Sequence, residues 1–382
     1  MRNNRVLEIG KAEARVVEQP VAEPGPGFVL VRQTIAPNCI EHRIYDTGFY
    51  EFHEQGPARE LHDHAHLEEG GRCAHAGHEG VGEVVAVGEG VTRWRTGQRV
   101  VVFQGWACGE CWVCENGLGA THCINLKLPV DIEKTNDSIS GGNGFCEYRL
   151  VPANMLEEIP DQLSDEYASA ANCLIGCTYS GIRDLKVEPE SVCLVGGVGF
   201  IGLATLVNLK YRGATVIVLG RDPARMQAAD ERFDADHIVN PDDPDWLEQV
   251  RALTPQGRGV DYAFECSGYP YYQQRCMDTL RHYGTLMLFG YAAHEGRNLT
   301  WDVHTESAFC WGHKVVTAHF DVNFNHRKDI LRMLCDPWVQ GKLDQLITHR
   351  FPMSQAVEAF ELLLKRDQSK EFVGKVHLIP GA

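Results

Sequence analysis

The feature that most constrains the fold is a short glycine run. Gly197, Gly199 and Gly202 read GVGFIG, with SVCLV directly before them and LATLVNLKYRG directly after. A buried strand that turns at once into a helix needs the first glycine for the tight turn, the second so that backbone can approach a pyrophosphate, and the third for close helix–strand packing. The exposed amides and the positive end of the helix then form an anion site. Gly197, Gly199, Phe200, Ile201 and Gly202 are therefore candidate dinucleotide-binding residues. From about Ser180 onward, ATVIVLG, VDYAFECSG and GTLMLFGY alternate with helical stretches. That is the grammar of a doubly wound parallel sheet.

At 382 residues the chain exceeds what one core serves well, so two domains are expected. Up to about Pro160 it carries short apolar runs punctuated by Gly and Pro, such as GVGEVVAVGEGV and GQRVVVF, which signal a β-rich domain. After about Ala318 come an amphipathic helix, Ser354 to Lys365, and a short strand, GKVHLIP, a tail suited to return to the first domain. The expected division is 1–179 with 319–382 against 180–318. A formal charge of -16 repels phosphate backbones and anionic lipid, which sets nucleic acid and membrane surfaces aside as partners. The apolar stretch Ser191–Leu209 is broken by Gly196, Gly197, Gly199 and Gly202, so it reads as strand, turn and helix rather than a membrane span. The opening MRNNRVLEIGKAEARVVEQP reads as strand, glycine turn and strand without the apolar stretch of a signal peptide, and a cytoplasmic location is expected.

Fourteen cysteines in such a compartment point to metal rather than to disulfides. Cys108, Cys111 and Cys114 follow one another at CxxC spacing, and Cys123 stands after eight further residues. Four thiolates so placed close a tetrahedral zinc site with no open position, a structural role, with His122 as an alternative fourth ligand. Cys39 in APNCIEH, His78 in AGHEGVGEV and Cys177 in NCLIGCTYSG are dispersed, and spacing alone does not join them. His53, His62, His64 and His66 lie in an acidic stretch between Tyr50 and Cys73. Spacings of two place alternate histidines on divergent helix faces, so this stretch reads as a solvated loop with no ligand assigned.

Taken in order, GHEGVGEVVAVGEGV, the cysteine cluster, GFCEYRLVP, NCLIGCTYSG and VGGVGFIGL resemble the zinc-containing alcohol dehydrogenases of the medium-chain dehydrogenase/reductase family. The resemblance implies an α/β protein with a GroES-like β-rich catalytic domain and a Rossmann cofactor domain. It implies a catalytic zinc on Cys39, His78 and Cys177 with Glu79 beside it, a structural zinc on the four cysteines, and a homodimer or homotetramer. It also places Thr178 near a nicotinamide, and Ser267 and Tyr291 at strand ends facing the cofactor. Two departures stand out. The cysteine spacing before Cys123 is one residue longer than the commonest family form. Glu41 and His42 stand where the family commonly has a Ser or Thr of its proton relay and an Asp, so Glu41 becomes the candidate base for the alcohol proton.

Dinucleotide folds that prefer NAD usually end the second strand with an acid. Here ATVIVL ends in Gly220 and Arg221, with Arg225 further on, so repulsion toward a 2′-phosphate is gone and planar donors are on offer. NADP is expected over NAD, although Asp222, if turned to the ribose, would keep NAD in use. The function expected is zinc-dependent hydride transfer between an alcohol, or its aldehyde or ketone, and NADP(H) or NAD(H). A zinc-independent NADPH-dependent quinone or enoyl reductase keeps the fold but leaves Cys39, His78 and Cys177 without purpose. A non-catalytic dinucleotide-sensing zinc protein is the third reading, kept open by Glu41 and His42.

Overall fold

The computed structural model describes residues 3–47, 77–105, 107–125, 144–290, 306–369 and 371–382. Contacts divide the chain into two units: Met1–Cys173 with Asp321–Ser369 and Val373–Ala382, and Leu174–Phe320 with Lys370–Phe372. Among the described residues no helix is long and apolar enough to cross a membrane.

The second unit is a parallel sheet of six strands in the spatial order His237–Val239, Thr215–Leu219, Val192–Gly196, Val260–Glu265, Leu280–Leu288, Val315–Ala318. The chain starts in the middle, works out to one edge, then crosses back to build the other half, which is the Rossmann order. Val192–Gly196 is buried at every position, as a strand covered on both faces must be. Leu194, Ile217, Val239, Ala263 and Leu286 share one core, in which each large aliphatic side chain contributes about 1.5–3 kcal/mol. The strand order reverses between Val192–Gly196 and Val260–Glu265, so a crevice opens at their carboxyl ends. Gly197 follows one of these strands and Ser267 the other.

The first unit holds a sheet in the order Ile347–Pro352, Lys375–Ile379, Phe28–Asn38, Gly80–Val87, Arg99–Val102, Leu156–Glu158, with Tyr148–Pro152 also paired to Phe28–Asn38. Its interior is β-branched and aromatic: Val29, Val31, Val84, Trp94, Val100, Val102 and Val151. Asn3–Gly10 and Glu13–Pro20 form the N-terminal hairpin expected from the sequence. In the tail, a 3-10 turn at Met353–Gln355 leads into helix Ala356–Leu364. That helix buries Ala356, Ala359, Phe360 and Leu363, the spacing of one helix face. Phe360 lies 5.8 Å from the Tyr45 ring and 6.4 Å from Phe145.

The glycine turn is as tight as its sequence demands. Gly197 has φ +98°, and a Cβ on Gly202 would lie 1.9 Å from the Gly197 carbonyl oxygen. Helix Phe200–Tyr211, buried from Gly202 through Leu209, cannot retreat without opening the core. Gly202→Ala is therefore expected to cost about 1–3 kcal/mol in overpacking. Chemical denaturation reads it directly, and an unchanged midpoint would show that the helix yields more easily than its burial implies.

Candidate active site

Register brings the first set of donors together. Phe28–Asn38 pairs antiparallel with Gly80–Val87 through Ile35 opposite Val81, so Cys39 and His78 leave the ladder at the same end. Lys375–Ile379 pairs with the same strand through Val376 opposite Asn38, which delivers Lys375 beside Cys39. Gly77 admits this geometry: its φ is +88°, and a Cβ there would meet the Phe145 nitrogen at 2.8 Å. The outcome is a cluster of Cys39, His78, Glu79 and Cys173 whose ligand atoms all lie within 4.8 Å of one another. Cys39 Sγ and Cys173 Sγ are 3.8 Å apart. A tetrahedral site with Zn–S bonds near 2.3 Å has sulfur edges of about 3.8 Å, so the pair fits zinc without adjustment.

Charges around these donors alternate. His78 Nδ1 lies 2.6 Å from Glu41 Oε1, while Glu41 Oε2 accepts from the Cys39 backbone N–H at 2.8 Å. On the other side of the ring, His78 Nε2 is 3.8 Å from Glu79 Oε1, which accepts from Lys375 Nζ at 2.5 Å. Glu41 and Glu79 are wholly buried and Lys375 nearly so. Burial opposes charge on Glu41 and His78, but their mutual attraction outweighs it, holding the carboxyl down at about 2 and raising the imidazole. Lys375 likewise loses by desolvation and gains more from Glu79, Cys39 and Cys173, so its ammonium is raised. Glu79 Oε2 is buried with no hydrogen-bond partner among the described residues. An orphan acceptor of this kind beside two thiols and an imidazole has the chemistry of a cation site.

The second set is local. Cys111 precedes helix Trp112–Glu115, which carries Cys114, and Cys123 follows the 3-10 turn Ala120–His122. Sulfur separations are 3.5 Å for Cys111–Cys114, 3.8 Å for Cys111–Cys123 and 3.6 Å for Cys123–Cys108, again the edges of a sulfur tetrahedron. The Cys108 N–H points at Cys123 Sγ, 3.3 Å away. A backbone N–H from Cys114 draws the Cys111 thiol down to about 6, whereas desolvation pushes Cys114 up to about 12. His122 is exposed and stands outside the cluster.

On the other unit, Gly199 caps the helix Phe200–Tyr211 and has open space where a Cβ would be, as close approach of a ligand requires. Ser267 N and Oγ donate to Glu265 Oε1 at 2.7 and 2.5 Å, and Gly268 N joins them at 2.9 Å. Glu265 is therefore a buried staple for the loop facing Gly197, and burial raises its carboxyl. Gly220 is buried at the strand end, and Arg221 beyond it is exposed. Asp222 caps helix Pro223–Glu231 by accepting from the Arg225 N–H at 2.8 Å. Tyr291 lies outside the described residues, as does the stretch from Tyr50 to Cys73.

Three of the expected site residues lie apart from where the sequence suggested. Cys177 is not in the donor cluster: it is buried in helix Ile175–Asp184, roughly one turn beyond Cys173, the cysteine that meets Cys39. Glu41 turns both carboxylate oxygens inward to His78 and Cys39 rather than toward an incoming alcohol. Thr178 is wholly buried and donates to the Leu174 and Ile175 carbonyls, while Asn208 donates to it at 2.8 Å. Cys173, Lys375 and Glu265 were missed in the sequence. A charged residue inside an apolar strand, Glu265 in VDYAFE and Lys375 in KVHLI, was the available signal.

Residues 29–161 match the alcohol dehydrogenase GroES-like domain and residues 201–320 the zinc-binding dehydrogenase domain, together about two-thirds of the chain. Sorbitol dehydrogenase from Bacillus subtilis is 34% identical over 56% of this chain and 58% of its own length. L-threonine 3-dehydrogenase from Pyrococcus horikoshii is 28% identical over 92% of each. In fold, alcohol dehydrogenase from Thermus sp. ATN1 superposes with a TM-score of 0.78 over 98% of this chain and 99% of its own, at 21% identity. By both domains and by their order, the chain belongs to the zinc-dependent medium-chain dehydrogenase/reductase family.

Proposed function

We propose that this protein transfers hydride between a small alcohol, or its aldehyde or ketone, and NADP(H), using a zinc held by Cys39, His78 and Cys173 with Glu79 beside it. A second zinc on Cys108, Cys111, Cys114 and Cys123 has a structural role. The observation that carries the reading is the first donor cluster, with its 3.8 Å sulfur pair and the orphan oxygen of Glu79. When bound, zinc supplies Lewis acidity toward the alcohol hydroxyl and the nicotinamide supplies the hydride acceptor.

The chain's own residues orient these groups. Glu41 holds His78 by Nδ1, which fixes the tautomer and presents Nε2 to a metal. Glu41 is then a positioning residue and not the base, since one of its carboxylate oxygens is engaged by the His78 imidazole and the other by the Cys39 N–H. The amides of Gly197–Gly202 serve the pyrophosphate. Asp222, committed to its helix cap, is withheld from the ribose, and exposed Arg221 favours a 2′-phosphate. The names of the relatives, sorbitol and L-threonine dehydrogenases, support a small hydroxylated substrate. A zinc-free reductase would have no use for the half-buried cysteine pair, and a sensor without turnover has no observation in its favour. Abundant free thiols fit the cytoplasm, and the family resemblance supports a homodimer or homotetramer.

Zinc analysis of purified protein tests the ligand set. About two zinc ions per chain are expected, falling to about one in Cys173→Ser and staying at about two in Cys177→Ser. The reverse pattern would return the third ligand to Cys177, and about one zinc in the fully loaded parent would move the protein to the zinc-free reductases. Turnover efficiency with NADP should exceed that with NAD, and parity would refute the cofactor preference. Glu41→Gln is expected to weaken zinc binding by about 10–100-fold while leaving the pH profile of kcat in place. A shifted profile at full zinc occupancy would instead make Glu41 the base.

A further inference from the structure

Arg221 does not extend into solvent alone. Its guanidinium sits 4.9 Å from the Tyr271 ring centroid, and Nη1 is 4.0 Å from Asp242 Oδ2. Its side chain nevertheless stays 55% exposed. Tyr271 is itself backed by Arg275, whose guanidinium lies 3.5 Å from the ring centroid and 5.4 Å from that of Trp246. Arg275 is anchored in turn on the Pro241 carbonyl, to which Nε and Nη2 donate at 3.3 and 3.4 Å. The Tyr271 hydroxyl donates to the Asp242 carboxylate. Burial, followed by that bond, pushes the phenol up to about 12, so it remains a donor at neutral pH.

Arg221, Asp242 and the Tyr271–Arg275 pair come from the end of strand Thr215–Leu219, the turn after His237–Val239 and the first two turns of helix Pro270–Thr279. The end of the second strand is where such sheets meet the adenosine ribose. A lone arginine loses rotamer freedom when a ligand fixes it, and stacking on a ring removes part of that loss beforehand. Asp242, left unrestrained, would close on Arg221 and compete with any anion. Bonded to Tyr271, it stands beyond hydrogen-bond distance.

We infer that Tyr271, backed by Arg275 and restraining Asp242 through its hydroxyl, positions Arg221 to receive the 2′-phosphate of an adenine dinucleotide. This rests on the NADP reading. Isothermal titration of the full chain with 2′,5′-ADP and with 5′-AMP tests it, the readout being the ratio of the two affinities. The parent should favour 2′,5′-ADP. Tyr271→Leu should lower that ratio by about fivefold, the worth of the stacking contact, and Asp242→Asn should raise it. Tyr271→Phe keeps the ring but frees Asp242, and should lower the ratio by less than Tyr271→Leu. A parent ratio near unity would remove the NADP reading and this inference together. A parent preference left unchanged in both Tyr271→Leu and Asp242→Asn would overturn the inference alone, with Arg221 acting unaided.

Discussion

A buried charge must be matched, and the first unit is organised around that requirement. Glu41, His78, Glu79 and Lys375 form a row in which acid and base alternate, two of its members wholly shielded from water. An isolated carboxylate in that setting would cost several kcal/mol, so each partner must arrive in register. The tail strand Lys375–Ile379 therefore has to pair with Phe28–Asn38 at Val376 opposite Asn38, and no slip is tolerated, since one residue would turn Lys375 to the other face. The same register sets Cys39 near Lys375 and Glu79, and Cys173 joins them from the turn before helix Ile175–Asp184. With thiols protonated the row is nearly balanced. Two thiolates and a neutral His78 imidazole make it anionic, and a divalent cation offsets most of that charge, which couples metal binding to loss of thiol and imidazole protons.

The cofactor unit solves its problem with backbone. Its pyrophosphate site needs open space at Gly199 and a helix pressed against Gly197, neither of which calls for a charged side chain. Glu265, the buried acid near this turn, is spent on the amides of Ser267 and Gly268 and shapes a loop rather than a charge. The charged side chains stand at the rim instead, where Arg221 stacks on Tyr271.

This difference explains how much could be read from sequence. The glycine turn, its strand and its helix are consecutive residues under local steric rules, and they were legible. So was the cysteine lobe, whose four thiols span sixteen positions of chain. The dispersed donors were legible only through the family resemblance, because Cys39, His78 and Cys173 come together only in the fold, and NCLIGCTYSG offers two cysteines four apart with nothing local to choose between them. Lys375 was hidden for the same reason. Asp222 was left open in the sequence for a different reason: Asp-Pro at the start of a helix is a capping signature, with proline at the first helical position, and that rule competes with the ribose rule for one side chain. The cap is intrahelical and always available, so it holds the aspartate.

The replacement of the family's relay residue by Glu41 follows from the same electrostatics. Held at about 2, Glu41 stays ionised across the neutral range, and burial keeps His42 at about 3 and therefore uncharged, its Nδ1 3.2 Å from Asn38 Oδ1. Neither residue changes protonation near neutral pH, so neither can carry a proton there as a matched acid or base does. What they provide instead is constancy. His78 keeps one tautomer and one orientation because Glu41 engages its Nδ1 at 2.6 Å. The position that commonly moves the proton in this family is used here to hold the histidine still.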